Sequence, residues 1–324
     1  MFWRMRALYK LGVLIATYGR PLELRETLDS LLDITSPIAA LVVCDASPKP
    51  LALEVESVCM EFVGRLPITY AYSDVASSCV QRNLAASRLF DICPDLDYIQ
   101  VLDDDTSPES DYIEKLAELL ESDPTAVGAS GMTMTSVEKK TGKARAYSYA
   151  HWLVGLESRK PGKVSRAGCG MPARAGLQEP VQSVEWLFGC SLWRAEIFKS
   201  LRYLDVLPGA ALFEDTEFSI RASFLGALLV DPSAVLNHGY SSVERPNLPL
   251  YAHRFSRNRW FVLVAKRRLY FDVFWYVFSV LFLSAVYLGA SLRAETKSQR
   301  NEFLSASSAT LRGAWDVVLS RQPR

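Results

Sequence analysis

The sequence predicts an α/β protein with a mostly parallel central sheet and a hydrophobic, amphipathic helical appendage at the C-terminus. Three observations support this fold class. Apolar runs alternate with stretches of helical periodicity over the first hundred residues, the 324 residues are 49% hydrophobic and 22% charged, and a twenty-residue segment near the C-terminus carries no charge. A chain of this size buries a large core, and strands that alternate with helices form right-handed βαβ units.

Four apolar runs in the N-terminal third are predicted strands, and the stretches between them have the periodicity of helices. The run "LGVLIATY" at 11–18 is apolar almost throughout, as expected for a parallel strand covered on both faces. Pro21 then suits the first turn of a helix. The predicted strands are 11–18, 39–47, 68–73 and 97–102, and the predicted helices are 20–34, 51–66 and 80–90.

After the fourth strand the chain is predicted to form a helix and then a long irregular segment. For the helix over 107–122, Ser107 is the expected N-cap and Pro108 follows it. The polar, glycine-bearing segment 135–184 is typical of a lid or a binding loop. Its "GCGMPA" resembles a dinucleotide-binding fingerprint only faintly, because no strand precedes it and Pro172 interrupts it.

Regular structure is predicted to resume beyond this segment, with an acidic pair at the start of a helix. Glu214 and Asp215 occupy that start, which is a favourable place for a carboxylate. Phe218 and Ala222 are spaced for one buried face of the helix. A strand is expected next, with His238 after it.

Three consecutive carboxylates, Asp103, Asp104 and Asp105, directly follow the fourth predicted strand. Ligands bind beyond the carboxyl ends of parallel strands, and adjacent like charges repel one another unless a divalent cation with oxygen ligands neutralises them. Three interpretations stand: a Mg²⁺ or Mn²⁺ site for a nucleotide diphosphate, a phosphohydrolase of the haloacid dehalogenase kind, and an acidic surface turn. The hydrolase class places its motif at the first strand, whereas three βα units precede this one.

Six motifs in order carry a resemblance that covers nearly the whole chain. They are "VLIATYGRP" (13–21), "LVVCDASP" (41–48), "SSCVQRNLA" (77–85), "VLDDDTSP" (101–108), "VEWLFGCSLWRAEIF" (184–198) and the block from "FEDTEF" to "LNHGY" (213–240). Together they resemble the inverting glycosyltransferases of family 2. The resemblance implies a GT-A fold, which is Rossmann-like, a UDP- or dTDP-sugar donor and Mn²⁺ or Mg²⁺. Two positions depart from the family pattern: Gly19 replaces Asn, and Cys44 replaces Asp.

Chemistry and the resemblance together assign the candidate site. Displacing a nucleoside diphosphate requires stabilisation of the leaving group and a general base for the acceptor hydroxyl. We expect Asp215 to be the base of a single inverting displacement and Glu214 to support it or to contact the acceptor. The expected metal ligands are Asp103, Asp105 and His238, and the expected donor-binding residues are Thr17, Tyr18, Arg20, Asp45, Arg82 and Asp104.

Some of these assignments compete with structural roles. Asp45 is expected to hydrogen-bond the nucleobase, and Arg82 to face the diphosphate or Asp45, although an arginine on a helix is usually solvated. His238 is one of only three histidines, yet a buried structural histidine fits the sequence too. Glu214 and Asp215 are also compatible with carboxylates that stabilise the helix dipole.

The charge distribution indicates a membrane surface as a partner. The formal net charge is zero, so no bulk attraction to nucleic acid is implied. From residue 254 to the end, however, twelve basic residues face four acidic ones, and the resulting +8 favours anionic lipid. The uncharged segment 273–292 forms a helix of about 30 Å, enough to cross a bilayer. Basic residues flank both ends, so spanning, lying in the interface and burial in an oligomer all remain open.

These features divide the chain into two parts and predict where in the cell the protein acts. Residues 1–265 form the expected GT-A catalytic domain, with a nucleotide-binding half (1–107) and an acceptor half (108–265), and 266–324 form membrane-associating helices. No CxxC pair and no signal-peptide core are found, which favours the cytoplasmic face of the inner (plasma) membrane.

The motif "YAHRFSRNRW" at 251–260 resembles that of members that transfer rhamnose or galactofuranose to bacterial polysaccharides. We therefore expect transfer of such a sugar to a lipid-linked saccharide acceptor during synthesis of a surface polysaccharide, for example lipopolysaccharide. Homo-oligomerisation is left open. The alternatives are the phosphohydrolase and a catalytically silent, membrane-bound nucleotide-sugar-binding protein.

Overall fold

The computed structural model describes residues 9–133, 142–174, 179–207, 209, 211–239, 247–267 and 269–319. The N-terminal segment 1–8, parts of the predicted irregular segment and the last five residues therefore lie outside the described residues. The strands are β1 (Leu11–Thr17), β2 (Ile38–Asp45), β3 (Ile68–Tyr72), β4 (Tyr98–Asp103), β5 (Thr106–Pro108), β6 (Ala126–Thr133), β7 (Gln182–Val184), β8 (Ser191–Arg194) and β9 (Ala227–His238). The helices are α1 (Pro21–Ser30), α2 (Lys49–Glu61), α3 (Ser78–Ile92), α4 (Tyr112–Ser122), α5 (Gly142–Leu153), α6 (Ala195–Ser200), α7 (Glu214–Ala222), α8 (Leu248–Ala265), α9 (Leu269–Leu292) and α10 (Lys297–Leu319).

The strands form one mixed, mostly parallel sheet with flanking helices, which confirms the predicted fold class. The order is β3-β2-β1-β4-β8-β6-β9-β5, and β7 pairs with β9. The first four strands of this order are mutually parallel. The chain moves outward from β1 to β2 and β3 and then returns to β4 on the other side of β1. At such a reversal a ligand is expected beyond the carboxyl ends of the strands, here at Thr17 and Asp103.

Helices cover both faces of the sheet, and successive strand side chains enter two different hydrophobic cores. Val13 and Ile15 of β1 pack in the core that contains side chains of α1, α2 and α4. Leu14 packs in the core that contains side chains of α3, α6 and α7. All three are fully buried. Burial on both faces explains why this strand is apolar throughout instead of alternating.

The predicted helix start at Ser107 is wrong, because Thr106–Pro108 form the edge strand β5 and α4 begins only at Tyr112. Strand β5 pairs antiparallel with the end of β9, and Thr106 lies opposite His238. The proline is compatible with a strand because β5 lies at the edge of the sheet. This pairing places the end of β9 beside the three carboxylates. The local sequence does not indicate it.

A helix also lies inside the segment that the sequence predicts to be irregular. Helix α5 spans Gly142–Leu153. After Gly142 this stretch contains no further glycine and no proline, so nothing in its sequence breaks a helix. The prediction of an irregular segment is therefore wrong for these twelve residues.

The three C-terminal helices pack on one another. Helix α10 contacts both α8 and α9. The hydroxyl groups of Ser284 on α9 and Ser307 on α10 lie 2.9 Å apart, and His253 Nε2 on α8 lies 2.7 Å from Asp316 Oδ2 on α10. Residues 270–292 of α9 are long and apolar enough to cross a membrane by length and composition.

Candidate active site

Two carboxylates and an imidazole form a compact cluster in the site. Asp103 ends β4, Asp105 follows it in the turn, and His238 ends β9. One ligand atom from each of the three lies within 4.8 Å of the other two. His238 Nε2 is 3.1 Å from Asp105 Oδ1. Burial acts to raise the pKa of Asp105, but the hydrogen bond and charge of His238 and the charge of Arg20 outweigh it, so the pKa is lowered.

The middle carboxylate, Asp104, points into the protein. The residue is 5% exposed. Its Oδ2 accepts a hydrogen bond from Thr17 Oγ1 at 2.7 Å, and its Oδ1 accepts one from Arg20 Nη1 at 3.0 Å. Burial raises its pKa to about 6, although Arg20 opposes the shift. Asp104 therefore holds the end of β1 to the end of β4, and its contact with a donor stays a prediction.

The carboxylate of Asp45 is fully buried below the turn that follows β2. Its Oδ1 accepts a hydrogen bond from the Ser47 amide at 2.8 Å, and its Oδ2 accepts one from the Tyr70 hydroxyl at 3.1 Å. Ser47 Oγ in turn accepts from the amide of Gly19 at 2.7 Å. Asp45 shapes the turn in this arrangement, and its contact with a nucleobase stays a prediction.

The two departures from the family pattern have local explanations. Gly19 has φ +68°, a left-handed conformation that glycine and asparagine adopt most readily, so either residue fits here. Cys44 is fully buried in the core beside α3, where an apolar side chain packs without an unpaired charge. Neither substitution disturbs the candidate metal ligands. All six cysteines of the chain are free.

Arg82 of α3 lies between two of the predicted acidic groups. Its Nη2 donates to Asp103 Oδ1 at 2.7 Å, and its Nη1 donates to Glu214 Oε1 at 2.9 Å. The residue is only 4% exposed, and its guanidinium lies 5.4 Å from the centre of the Tyr203 ring. Among the described residues it makes no contact with Asp45, which was one of its two predicted partners.

Glu214 and Asp215 open α7, as predicted. The preceding residue, Phe213, has φ +70°, which is rare outside glycine, and this conformation directs the chain into the helix. Asp215 Oδ1 accepts from the Thr216 amide at 2.6 Å, and within the described part of the chain no protein group donates to its Oδ2. Burial and the charge of Glu214 raise the pKa of Asp215 to about 7. Burial also raises the pKa of Glu214, although Arg82 opposes it.

Other residues shape the site without having been predicted from the sequence. Gln81 Nε2 donates to the carbonyl oxygens of Thr17 and Cys44, at 2.6 and 2.8 Å, and so ties α3 to the ends of β1 and β2. Gly189 leaves space beside Asp103, because an added Cβ would lie 3.3 Å from Asp103 Oδ2. Gln81 lies inside the motif at 77–85, and Gly189 lies inside the motif at 184–198. These two motifs were the sequence signals that point to the two residues. Tyr18 is half-buried at the same edge of the sheet.

Comparison with known proteins identifies a domain in the N-terminal part of the chain. Residues 12–171 match the family model described as "Glycosyl transferase family 2". This part of the chain is similar to the family 2 glycosyltransferases. No curated protein sequence matches the chain. The matched residues 12–171 contain Arg82 and the three-aspartate strand end, whereas Glu214, Asp215 and His238 come later in the chain and are brought to them by α7 and β9.

Solved structures support the fold of the matched residues and of the residues that follow them. S. aureus TarS 1–349 in complex with UDP has a TM-score of 0.55 and 15% identity, over 95% of this chain and 82% of that chain. The mannosyltransferase PcManGT from Pyrobaculum calidifontis, in complex with GDP-Man and Mn²⁺, has a TM-score of 0.53 and 14% identity, over 95% of this chain and 88% of that chain. At these identities the likeness shows a GT-A-like fold and nothing further.

Proposed function

We propose that the protein is a metal-dependent, inverting glycosyltransferase that moves a sugar from a nucleotide donor to a lipid-linked saccharide during synthesis of a surface polysaccharide. Galactofuranose and rhamnose are the favoured sugars. The observation that carries the proposal is the convergence of Asp103, Asp105 and His238 with Glu214 and Asp215 at one edge of the sheet. The structures of TarS with UDP and of PcManGT with GDP-Man and Mn²⁺ support a nucleotide-sugar donor.

The residues present fit a divalent metal ion. Asp103, Asp105 and His238 would hold it, because their ligand atoms lie close together and the side chains of Asp103 and His238 are partly exposed. Carboxylates suit Mg²⁺ and Mn²⁺, and the imidazole nitrogen favours Mn²⁺, since Mg²⁺ prefers oxygen ligands. Such an ion supplies positive charge to the diphosphate leaving group. Gly189 keeps the space beside Asp103 Oδ2 free of a side chain.

Asp215 would remove the proton of the acceptor hydroxyl. The hydroxyl oxygen forms a bond to the anomeric carbon while the bond from that carbon to the diphosphate breaks, which inverts the configuration in one step. A carboxylate with a pKa of about 7 is a stronger base than an exposed aspartate and is still largely ionised just above neutral pH. Arg82 compensates the neighbouring charge of Glu214, so that the two acidic groups coexist.

A panel of UDP-, dTDP- and GDP-sugars, each with and without Mn²⁺, tests the proposed function. We expect at least one nucleotide to raise the melting temperature by several degrees, and only with metal, because ligands that bind the native state alone stabilise it. Slow hydrolysis of the same donor should accompany the shift. If no nucleotide stabilises the protein and EDTA changes nothing, the protein is not a metal-dependent transferase. Release of phosphate from simple phosphomonoesters would instead indicate the phosphohydrolase.

We also propose that α9 binds the cytoplasmic membrane surface and lies in the interface instead of spanning it. Large apolar side chains recur along its outer face, and the most exposed of them are Tyr270 (93%), Phe271 (79%), Leu292 (74%), Phe274 (64%) and Leu281 (55%). The polar helix α10 packs beside α9 and returns to α8. If α9 crossed the bilayer, the charges of α10 would have to enter hydrocarbon, which is strongly unfavourable. A helix that lies flat buries one face only and leaves α10 in water.

Replacing both Phe271 and Phe274 by Asp is expected to lower binding to vesicles that contain anionic lipid by at least about tenfold, because two buried aromatic side chains are lost. Flotation through a sucrose gradient measures this. Leu53→Asp is the matched control, since Leu53 is 68% exposed on α2, away from the C-terminal helices. If the double variant floats like the unmodified protein, α9 is not the membrane-binding surface. A change in oligomeric state instead would show that α9 contacts a second copy.

A further inference from the structure

Arg82 joins the two halves of the candidate site. Through Nη2 it contacts Asp103, which ends β4, and through Nη1 it contacts Glu214, the first residue of α7. These two acidic residues are 111 positions apart in the sequence. At 4% exposure, and with both terminal nitrogens engaged by carboxylates, Arg82 presents little of its charge to solvent. Its surroundings therefore favour a role inside the protein over direct contact with the donor.

The next residue strengthens the same connection. Asn83 Nδ2 donates to the carbonyl of Tyr203 at 2.9 Å, and Asn83 Oδ1 accepts from the amide of Tyr203, also at 2.9 Å. Asn83 Nδ2 also lies 2.7 Å from Asp205 Oδ1. The Tyr203 ring in turn packs on Phe218 of α7, with the ring centres 4.3 Å apart. Helix α3 thus makes hydrogen bonds both to the start of α7 and to the segment that precedes α7.

The contacts require the shape of an arginine. A guanidinium is planar and offers several donors in a fixed fork, so it can bond two carboxylates from different elements at once. A lysine ammonium is a compact charge on a flexible stem and would retain the charge without the fixed spacing. Without a cation here, Asp103, Glu214 and Asp215 would be neighbouring carboxylates that repel one another.

We propose that Arg82 is a positioning residue that fixes α7, and with it Asp215, relative to the metal-binding carboxylate Asp103. This inference rests on the proposed function. Arg82 uses Oδ1 of Asp103 and leaves Oδ2, beside Gly189, for a metal ion. Loss of Arg82 should therefore misplace the base while metal binding persists, because small displacements of a catalytic group lower turnover far more than affinity.

The test compares Arg82→Lys and Arg82→Met with Arg88→Met, which removes an exposed arginine from the same helix. Mn²⁺ binding to each protein is measured by electron paramagnetic resonance, and kcat and KM are measured for donor and acceptor. We expect the dissociation constant of Mn²⁺ and the donor KM to change by less than about threefold in both Arg82 variants, whereas kcat falls about a hundredfold or more. The lysine variant should rescue little of this loss. Arg88→Met should behave like the unmodified protein.

A double variant shows whether Arg82 acts through Glu214. If it does, Arg82→Met combined with Glu214→Gln should lower kcat no further than Arg82→Met alone, since coupled residues are not additive. Mn²⁺ affinity that falls in parallel with kcat would overturn the proposal, because Arg82 would then support the metal site alone. Full activity of Arg82→Lys would overturn it as well, because charge without the fork would suffice.

This inference and the proposed function fail in different ways. If the unmodified protein transfers no sugar from any donor, the proposed function fails. The link between Arg82 and Glu214 is then still measured from the urea unfolding midpoints of the single and double variants, where strictly additive effects would overturn it. If Arg82→Met does not fold, Arg82→Lys decides by the same comparison of Mn²⁺ affinity with kcat.

Discussion

Replacing Asp215 by Asn is expected to lower turnover by about a thousandfold, within the range that a positioned general base contributes. The amide has nearly the same shape but cannot accept the proton of the acceptor hydroxyl. The Oδ1 contact with the Thr216 amide can be kept by the amide oxygen, so α7 should retain its start. Donor binding should change little, because Asp215 does not belong to the metal cluster. The measurement is kcat for transfer beside the dissociation constant of the nucleotide.

The pH dependence gives a second measure of the same group. The pKa of Asp215 is raised to about 7, so the base is protonated and inactive below this pH. Transfer should therefore increase as the pH rises from 6 to 8 and level off above the pKa. In Asp215→Asn this rise should disappear. Asp231→Asn, a change in β9 away from the cluster, is the control and should keep the full profile. Turnover close to that of the unmodified protein in Asp215→Asn would assign the base to another residue.

The N-terminal half of the fold could be predicted because the residue types along each strand indicate which of its faces are buried. Val13, Leu14 and Ile15 are apolar since both faces of β1 are covered, and the three aspartates stand out because a strand end rarely carries three like charges. Such signals are local. They correctly place the carboxylates at the edge of the sheet where strand order reverses.

The rest of the site depends on contacts between distant parts of the chain. Ser107 and Pro108 have the composition of a helix start, but pairing with the end of β9 converts them into a strand and moves His238 beside Asp105. Local sequence also does not reveal in which direction a side chain at a strand end points. Asp104 is buried in hydrogen bonds to Thr17 and Arg20, and Asp45 in hydrogen bonds to Ser47 and Tyr70. Asp103, in contrast, is partly exposed. Arg82 likewise reaches Asp103 and Glu214 only because the fold brings β4 and the start of α7 close to α3.

Replacing Asp105 by Asn is expected to weaken Mn²⁺ binding by about a hundredfold or more and to lower kcat/KM by about a thousandfold. The change removes a charged ligand from a cluster of three, and stabilisation of a developing charge is usually the largest single contribution to such a reaction. Asp105 also accepts a hydrogen bond from His238, so the imidazole should lose its orientation too. Calorimetry with Mn²⁺ alone measures the first effect, and steady-state kinetics measure the second.

The control for Asp105→Asn is Glu109→Gln, which removes an exposed acidic group four residues further along the same segment. It should leave both quantities unchanged, so that a general loss of negative charge is separated from the loss of a ligand. EDTA should reproduce the effect of Asp105→Asn in the unmodified protein, and added Mn²⁺ should reverse it. Unchanged Mn²⁺ affinity in Asp105→Asn would contradict a metal site at this strand end. The three adjacent carboxylates would then have to be stabilised by Arg20, Arg82 and His238 alone, which contact them already without a metal ion.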